Sequence, residues 1–244
     1  MLLLIDGDIL VYKALTSAEK EVQWEDDLWC LWVDLRDAQG AMVEMMDDIA
    51  QKLPNTVPYL CLTHPHNFRK DIDPTYKANR KAQRKPMAFS AFRKWVTETY
   101  TTITKPNLEA DDVLGILATK PGNDAIIMSA DKDLRQIPGK HWDGEKVIEV
   151  TKAEGDWWHM MQTLTGDPVD GYAGCPGIGK VKAERILKEA EEPSVGFWWP
   201  CVLDAYEKAQ LTEEDALKQA RLARILQWDD WDQERQEVKL WVPK

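Results

Sequence analysis

Between residues 2 and 128 the chain alternates short apolar runs with helix-period patterns, and this rhythm restricts the fold more than any single residue does. Residues 2–5, 57–62 and 125–128 read as buried strands, with 101–104 a weaker one. Residues 26–52, 88–98 and 111–118 read as the helices between them. Parallel strands need long crossovers laid on the sheet faces, so this repeat predicts an α/β fold: a mostly parallel central sheet flanked by helices. In open sheets of this class, sites form beyond the carboxyl ends of the strands.

Acids gather on that predicted rim. Asp6 and Asp8 follow the first apolar run, Glu109, Asp111 and Asp112 open a helix, and Asp131 and Asp133 trail the 125–128 strand. Asp167 and Asp170 stand three apart further along. Two carboxylates about 4 Å apart repel by roughly 4 kcal/mol at an effective dielectric of 20. A divalent cation turns that repulsion into binding, so converging acids point to Mg²⁺ or Mn²⁺ and to metal-assisted phosphate chemistry. Each group alone has a plainer reading: acids favour helix N-termini by about 0.3–1 kcal/mol each, and Asp131 with Asp133 suits an ordinary turn. Their joint occurrence carries the metal reading.

The net charge of −11 at first argues against a nucleic-acid partner. The distribution weakens that objection. Arg69, Lys70, Lys77, Arg80, Lys81, Arg84 and Lys85 crowd one stretch opposed only by Asp71 and Asp73. Phe68 and Tyr76 interleave with these cations, a mix that suits a single strand or a frayed end, where bases stack and phosphates pair with charge. Residues 64–87 as a whole read as a long polar excursion rather than a core element. The scattered Cys30, Cys61, Cys175 and Cys201 fit buried thiols in a reducing compartment, and the opening apolar run is too short for a signal peptide or membrane span. The expected location is cytoplasmic, with no membrane partner.

From about residue 151 the strands stop. Residues 153–165, 181–191 and 216–227 read as helices, the last opened by a capping box from Thr212 to Asp215. Between the first two lies Gly174-Cys-Pro-Gly177-Ile-Gly179-Lys180. No Gly-Lys-Ser/Thr closes it, so it is not a nucleotide-binding P-loop. Glycines between short helices let backbone amides approach phosphate, as a helix-hairpin-helix element does when it grips a duplex without reading bases. Three regions follow: an α/β core over 1–150 with the basic excursion at 64–87, a helix-hairpin-helix region over 151–192, and a helical extension over 193–244.

The order of these pieces resembles the 5′-nuclease (flap endonuclease) superfamily, in the version found as the 5′→3′ exonuclease of short-tailed lytic phages. The match lies in Leu4-Ile5-Asp6-Gly7-Asp8, Phe68-Arg69, Tyr76-Lys77-Ala-Asn79-Arg80 and Glu109-Ala-Asp111-Asp112. It continues in Ser129-Ala-Asp131-Lys-Asp133 and in Gly166-Asp167-Pro-Val-Asp170 with Pro176-Gly-Ile-Gly179. The resemblance covers about residues 1–190 and implies a PIN-like nuclease core with a helix-hairpin-helix DNA clamp. It implies one metal site at Asp6, Glu109, Asp111 and Asp112, with Asp8 nearby. A second is implied at Asp131, Asp133, Asp167 and Asp170. Lys77 and Arg80 resemble the cations that engage the scissile phosphate at the base of an arch, with Tyr76 beside them. Arg69, Lys70, Lys81, Arg84 and Lys85, and in the clamp Gly177, Gly179, Lys180 and Lys182, would contact DNA. A monovalent cation at the clamp belongs to the same expectation.

One departure stands out. These nucleases carry an Asp just after the second core strand, and here His64 most nearly occupies that place. Imidazole suits Mn²⁺ better than Mg²⁺. The implied activity is 5′→3′ exonucleolytic hydrolysis of duplex DNA, and of RNA strands in RNA–DNA hybrids, with two divalent ions and no obligate protein partner. Flap endonuclease is the nearest alternative, and a toxin-like PIN ribonuclease or a non-catalytic DNA-binding scaffold the more distant ones.

Overall fold

The computed structural model describes residues 1–243, without the side chain of Lys81. Its centre is a six-stranded sheet. The first strand, β1 (Leu2–Asp6), has β4 (Val57–Cys61) on one side and β6 (Ala125–Met128) on the other, both parallel to it. β5 (Thr102–Ile103) extends the sheet beyond β4. β7 (Gly139–Trp142) continues it in parallel beyond β6, and β8 (Val147–Val150) closes the far edge antiparallel. Side chains alternate across a strand. Leu3 and Ile5 therefore enter the core on one face, and Leu4 the core on the other. Being covered on both faces is why β1 reads as an unbroken apolar run.

The first face is covered by α1 (Gly7–Ala18), α2 (Leu35–Lys52) and α4 (Phe89–Thr99), which bury Val11, Met42 and Phe92. The second face is covered by α5 (Ala110–Ala118), which buries Val113, Leu114 and Ile116. The short α3 (Arg69–Ile72) starts the excursion after β4. A third core joins α6 (Lys152–Thr165), α7 (Lys180–Lys188), α8 (Val195–Lys208) and α9 (Glu213–Ala223) around Met160, Leu164, Trp198, Trp199, Tyr206 and Trp241. The Thr212–Asp215 capping box forms as the sequence predicts. After α9 the chain turns back. Ile225, Leu226 and Trp231 enter the second-face core, and the carbonyl of Leu226 lies so close to Gly115 that any Cβ there would overlap it. A two-stranded ribbon, β9 (Trp231–Asp232) with β10 (Glu237–Val238), follows, so strands do not stop at about residue 151 as the sequence pattern predicts.

The helix expected to run to residue 227 ends at Ala223, and two further expectations need correction. Residues 26–52 are not one helix. β2 (Glu19–Glu25) and β3 (Leu28–Val33) form a separate antiparallel hairpin, and the helix begins only at Leu35, capped by Asp34. Leu28, Leu31, Trp32 and Leu35 are spaced i, i+3, i+4, i+7, so the apolar pattern alone does not separate the strand from a helix. The segment 64–87 is not uniformly peripheral either, because Phe68, Arg69 and Tyr76 are buried. Among the described residues no helix is long and apolar enough to cross a membrane.

Candidate active site

The carboxyl ends of β1, β4 and β6 open into a cavity of about 930 Å³. Asp6 ends β1 and caps α1, its Oδ1 accepting the Ile9 N–H at 3.2 Å. Its Oδ2 accepts from the Ser129 hydroxyl at 3.1 Å, which ties β1 to the end of β6. Asp8, in the first turn of α1, accepts the Thr63 N–H at 3.0 Å and so ties α1 to the end of β4. Asp111 at the start of α5 and Asp131 after β6 line the same cavity. Asp133 follows Asp131, whose Oδ1 accepts its N–H at 2.8 Å.

The acids sense one another. Burial, with the charges of Asp8 and Asp131, raises the Asp6 pKa to about 6. Burial, with the charges of Asp6, Glu109 and Asp131, pushes Asp111 well above the ordinary carboxylate range. Burial together with Asp131 and Asp167 raises Asp133 to about 6. Among the described residues, however, no three Asp, Glu, His or Cys side chains are gathered tightly enough to hold a metal ion as they stand.

Cations flank this rim. Lys77 sits in the left-handed backbone region at φ 54°, a conformation that costs a non-glycine residue roughly 1–2 kcal/mol. Its N–H donates to the Asp170 carbonyl at 2.7 Å, and its ammonium reaches Glu109 Oε1 at 2.5 Å and Asp170 Oδ2 at 3.3 Å. The Tyr76 hydroxyl lies 2.9 Å from both Glu109 Oε2 and Asp170 Oδ2 and donates to one at a time. Arg80 pairs with Asp170 Oδ1 at 2.5 Å. Burial alone would raise the Glu109 pKa, but the charges of Lys77 and Arg69 and hydrogen bonds from Lys77 and Tyr76 bring it to about 2. Asp167 closes the adjoining loop: its Oδ1 accepts the Val169 N–H at 2.7 Å, and its backbone bridges Tyr172.

Three expected roles change. Asp112 does not face the cavity. It is fully buried, and both oxygens are taken by the Arg69 guanidinium at 2.8 Å each, by the Leu226 N–H at 3.1 Å and by the Glu109 N–H at 3.2 Å. No lone pair is left over for a metal, so Asp112 is a structural anion. Arg69, only 3% exposed, is correspondingly not a DNA contact, because it is spent on Asp112 and the carbonyls of Leu222 and Arg224. His64 is not a metal ligand in this arrangement. Its Nδ1 accepts the N–H groups of His66 and Asn107, both at 3.2 Å, so a neutral ring carries its proton on Nε2 and offers no free lone pair.

The remaining candidates divide by position. Lys85 lines the cavity, its ammonium 4.8 Å from the Phe89 ring centre, whereas Lys70 is exposed outside it. Arg84 is exposed but bound to Glu19 at 2.7 and 2.9 Å. The side chain of Lys81 lies outside the described residues. In the glycine turn before α7, Gly177 and Gly179 face open space, and Gly177 has φ +72°. Lys182 closes the turn by donating to the Gly177 carbonyl at 2.8 Å. Lys180 lines the cavity with its ammonium 5.9 Å from the Trp158 ring centre. Tyr12, Phe89, Arg93 and Trp158 also line the cavity, and the sequence reading did not single them out as site residues. Within their helices they look like ordinary amphipathic positions.

A mostly parallel sheet flanked by helices, with an acid rim beyond its carboxyl ends and cations lining the same cavity, is the fold of a PIN-like nuclease core. Residues 1–162 match the family profile described as 5′-3′ exonuclease, N-terminal resolvase-like domain, and the chain belongs to this 5′-3′ exonuclease family of enzymes. It is 32% identical to the exodeoxyribonuclease of Enterobacteria phage T3, over 100% of this chain and 93% of the relative. It is also 32% identical to the exonuclease of Escherichia phage T7, over 99% and 93%. A solved structure of the phage T5 5′-exonuclease with bound zinc superposes with a TM-score of 0.64 at 17% identity, over 91% of this chain and 88% of the other.

Proposed function

We propose that this chain hydrolyses phosphodiester bonds of duplex DNA from the 5′ end, and of RNA strands in RNA–DNA hybrids, with two divalent metal ions. The observation that carries the reading is that Asp6 and Asp111, on one rim, are both pushed upward by burial, with the Asp131 charge adding to both, at a cavity that Lys77 and Arg80 also line. The donor set fits in kind: carboxylate oxygens that resist ionising together are the hard ligands that Mg²⁺ or Mn²⁺ takes. Asp6, Asp111 and Asp131 would hold one ion, with Asp8 beside them, and Asp133, Asp167 and Asp170 would hold another. This moves Asp131 from the second expected site to the first, where its charge acts on Asp6 and Asp111, and gives Glu109 to Lys77 in place of a metal. Bound there, the ions supply an activated water and positive charge at the phosphate.

The protein's own groups supply the rest. Lys77 and Arg80 stand where a phosphate entering the cavity meets fixed cations, which offset the charge that grows on its oxygens. Glu109 and Tyr76 act on Lys77 as positioning residues, one binding its ammonium and the other bracing Glu109. The exposed amides around Gly177 and Gly179, with Lys180, suit the backbone of the duplex beyond the cut. The two full-length phage relatives are named exodeoxyribonuclease and exonuclease, which supports a DNA substrate.

The test is digestion of a 5′-labelled duplex with Mg²⁺, with Mn²⁺ and with EDTA. Labelled mononucleotides or short oligonucleotides should appear only with metal. Asp131→Asn should abolish cleavage while DNA binding persists, and full activity in that variant would remove the two-metal assignment. A flap-cutting preference is the second reading, favoured by Lys77, Arg80 and Lys85 of the 64–87 segment all lining the cavity. Faster cleavage of a 5′-flap than of a blunt duplex would select it.

A further inference from the structure

The β2–β3 hairpin plays no part in the site, and its composition is lopsided. β2 carries Glu19, Lys20, Glu21 and Glu25, whereas β3 is Leu28-Trp29-Cys30-Leu31-Trp32-Val33, six residues without a charge. The two strands pair only with each other, so β3 presents a free edge of backbone N–H and C=O groups. Its side chains are not spent on a core: Leu28 is 55% exposed, Trp29 56% and Trp32 47%, and the Cys30 thiol is exposed. Sheet proteins ordinarily guard an edge with charge, proline or a bulge. Here the hairpin's one irregularity, at Gln23/Glu25, lies on β2, so the guarded edge is β2 and the bare one is β3.

We propose that the free edge of β3 is a self-association surface, on which a second copy of this chain adds its own β3 antiparallel to make a four-stranded sheet about a two-fold axis. Charge disfavours a polyanion here, and the uncharged apolar row of β3, complementary to itself, selects the occupant. The hairpin's unpaired charges, Glu21, Glu25, Asp26 and Asp27, are all negative, since Glu19 is bound to Arg84 and Lys20 to Asp37. A nucleic-acid strand laid on the hairpin would be repelled, and a basic peptide would be drawn to the tip rather than along β3. A second β3 opposes no charge anywhere. A two-fold centred on Cys30 sets Trp29 against the partner's Leu31 and Leu28 against the partner's Trp32. One centred on Leu31 sets Trp29 against the partner's Val33. Either gives cross-strand apolar pairs of the stabilising kind, and either closes the assembly as a dimer. Glu19 also accepts the Met87 N–H at 2.6 Å besides binding Arg84, so the dimer would brace the segment that carries Lys85 into the cavity.

The full chain should sediment with twice its own mass at micromolar concentration. Trp29→Lys and Leu28→Lys, both at exposed positions outside any core, should each return it to a single mass with unchanged circular dichroism. Directly opposite Cβ atoms lie about 5 Å apart and diagonal ones about 7–8 Å. A short bifunctional thiol reagent on a Cys201→Ser background should therefore give a covalent dimer, which Cys30→Ser abolishes. A single mass at every accessible concentration overturns the proposal. So does a dimer that survives both lysine variants and does not cross-link through Cys30. Loss of DNA binding in Trp29→Lys by a protein that was monomeric throughout would assign the hairpin to nucleic acid instead.

Discussion

At the scale of single residues, the deciding contact is Arg69 with Asp112. Both are almost fully buried, and each satisfies the other through two 2.8 Å bonds. Removing one member of such a pair leaves an uncompensated charge in the interior, at a cost of about 3–5 kcal/mol. Arg69→Ala should therefore lower the unfolding free energy by that order, read as a lower urea midpoint, and Asp112→Leu in the same chain should restore part of it. If Arg69 were instead a DNA contact, its loss would raise KM without moving the unfolding midpoint. The acids facing the cavity have the opposite character. Asp6 and Asp133 are pushed up toward about 6 by burial and by neighbouring acids, which is strain a fold keeps where function uses it. The pattern of acids was legible in the sequence. Which of the Glu109–Asp112 group faces in and which faces out was not, because that depends on Arg69 and on backbone carbonyls of residues 222 and 224.

At the scale of elements, α6, the glycine turn and α7 pack as a unit in which α7 exposes Lys180, Lys182, Arg185 and Lys188. Gly166 and Gly174 meet back to back, each occupying the space a Cβ of the other would need, and this lets the loop of Asp167 and Asp170 fold against the turn. Lys180 opens α7 and reaches the cavity, whereas Lys182 is spent on the Gly177 carbonyl. Lys180→Glu should raise KM for duplex substrates several-fold while single-strand cleavage changes little, and equal losses on both would remove the clamp role. Several strands escape the sequence pattern, and for different reasons. β3 mimics a helical spacing. β7 and β8 are short, but Asp143-Gly144, with Gly144 at φ +106°, was an available signal for the turn between them.

At the scale of the whole molecule, the C-terminal chain is the fastener. It packs Ile225, Leu226 and Trp231 beneath α5, supplies the Leu226 N–H to Asp112, and brings Trp241 to the third core. A Cβ at Gly115 would overlap the Leu226 carbonyl, so Gly115→Ala should destabilise the protein by more than the gain in helix propensity, read as a lowered Tm. In the third core His159 is fully buried, its Nε2 donating to the Ala220 carbonyl at 2.8 Å and its Nδ1 without a partner. Burial, with the charge of Arg224, holds its pKa near about 3, below the ordinary 6.5. The unfolded chain thus takes a proton first as pH falls. This contribution to stability is complete above 6.5 and drops by up to about 1.4 kcal/mol per pH unit as the pH falls toward 3. Urea titrations between pH 7 and 5 should show this slope in the parent chain and lose it in His159→Gln.

The sequence by itself determined the sheet and its rim. A strand buried on both faces must be apolar throughout, and acids placed after such strands must land at their carboxyl ends, so β1, β4, β6 and the positions of Asp6 and Asp131 follow from local pattern alone. Only the tertiary structure decided what those acids meet. The pairing of Asp112 with Arg69, the Lys77 ammonium on Glu109, the saturated Nδ1 of His64 and the bare edge of β3 all join residues far apart in the chain, or leave them unjoined. Charge pairing and edge coverage are properties of the folded neighbourhood, which no local period encodes.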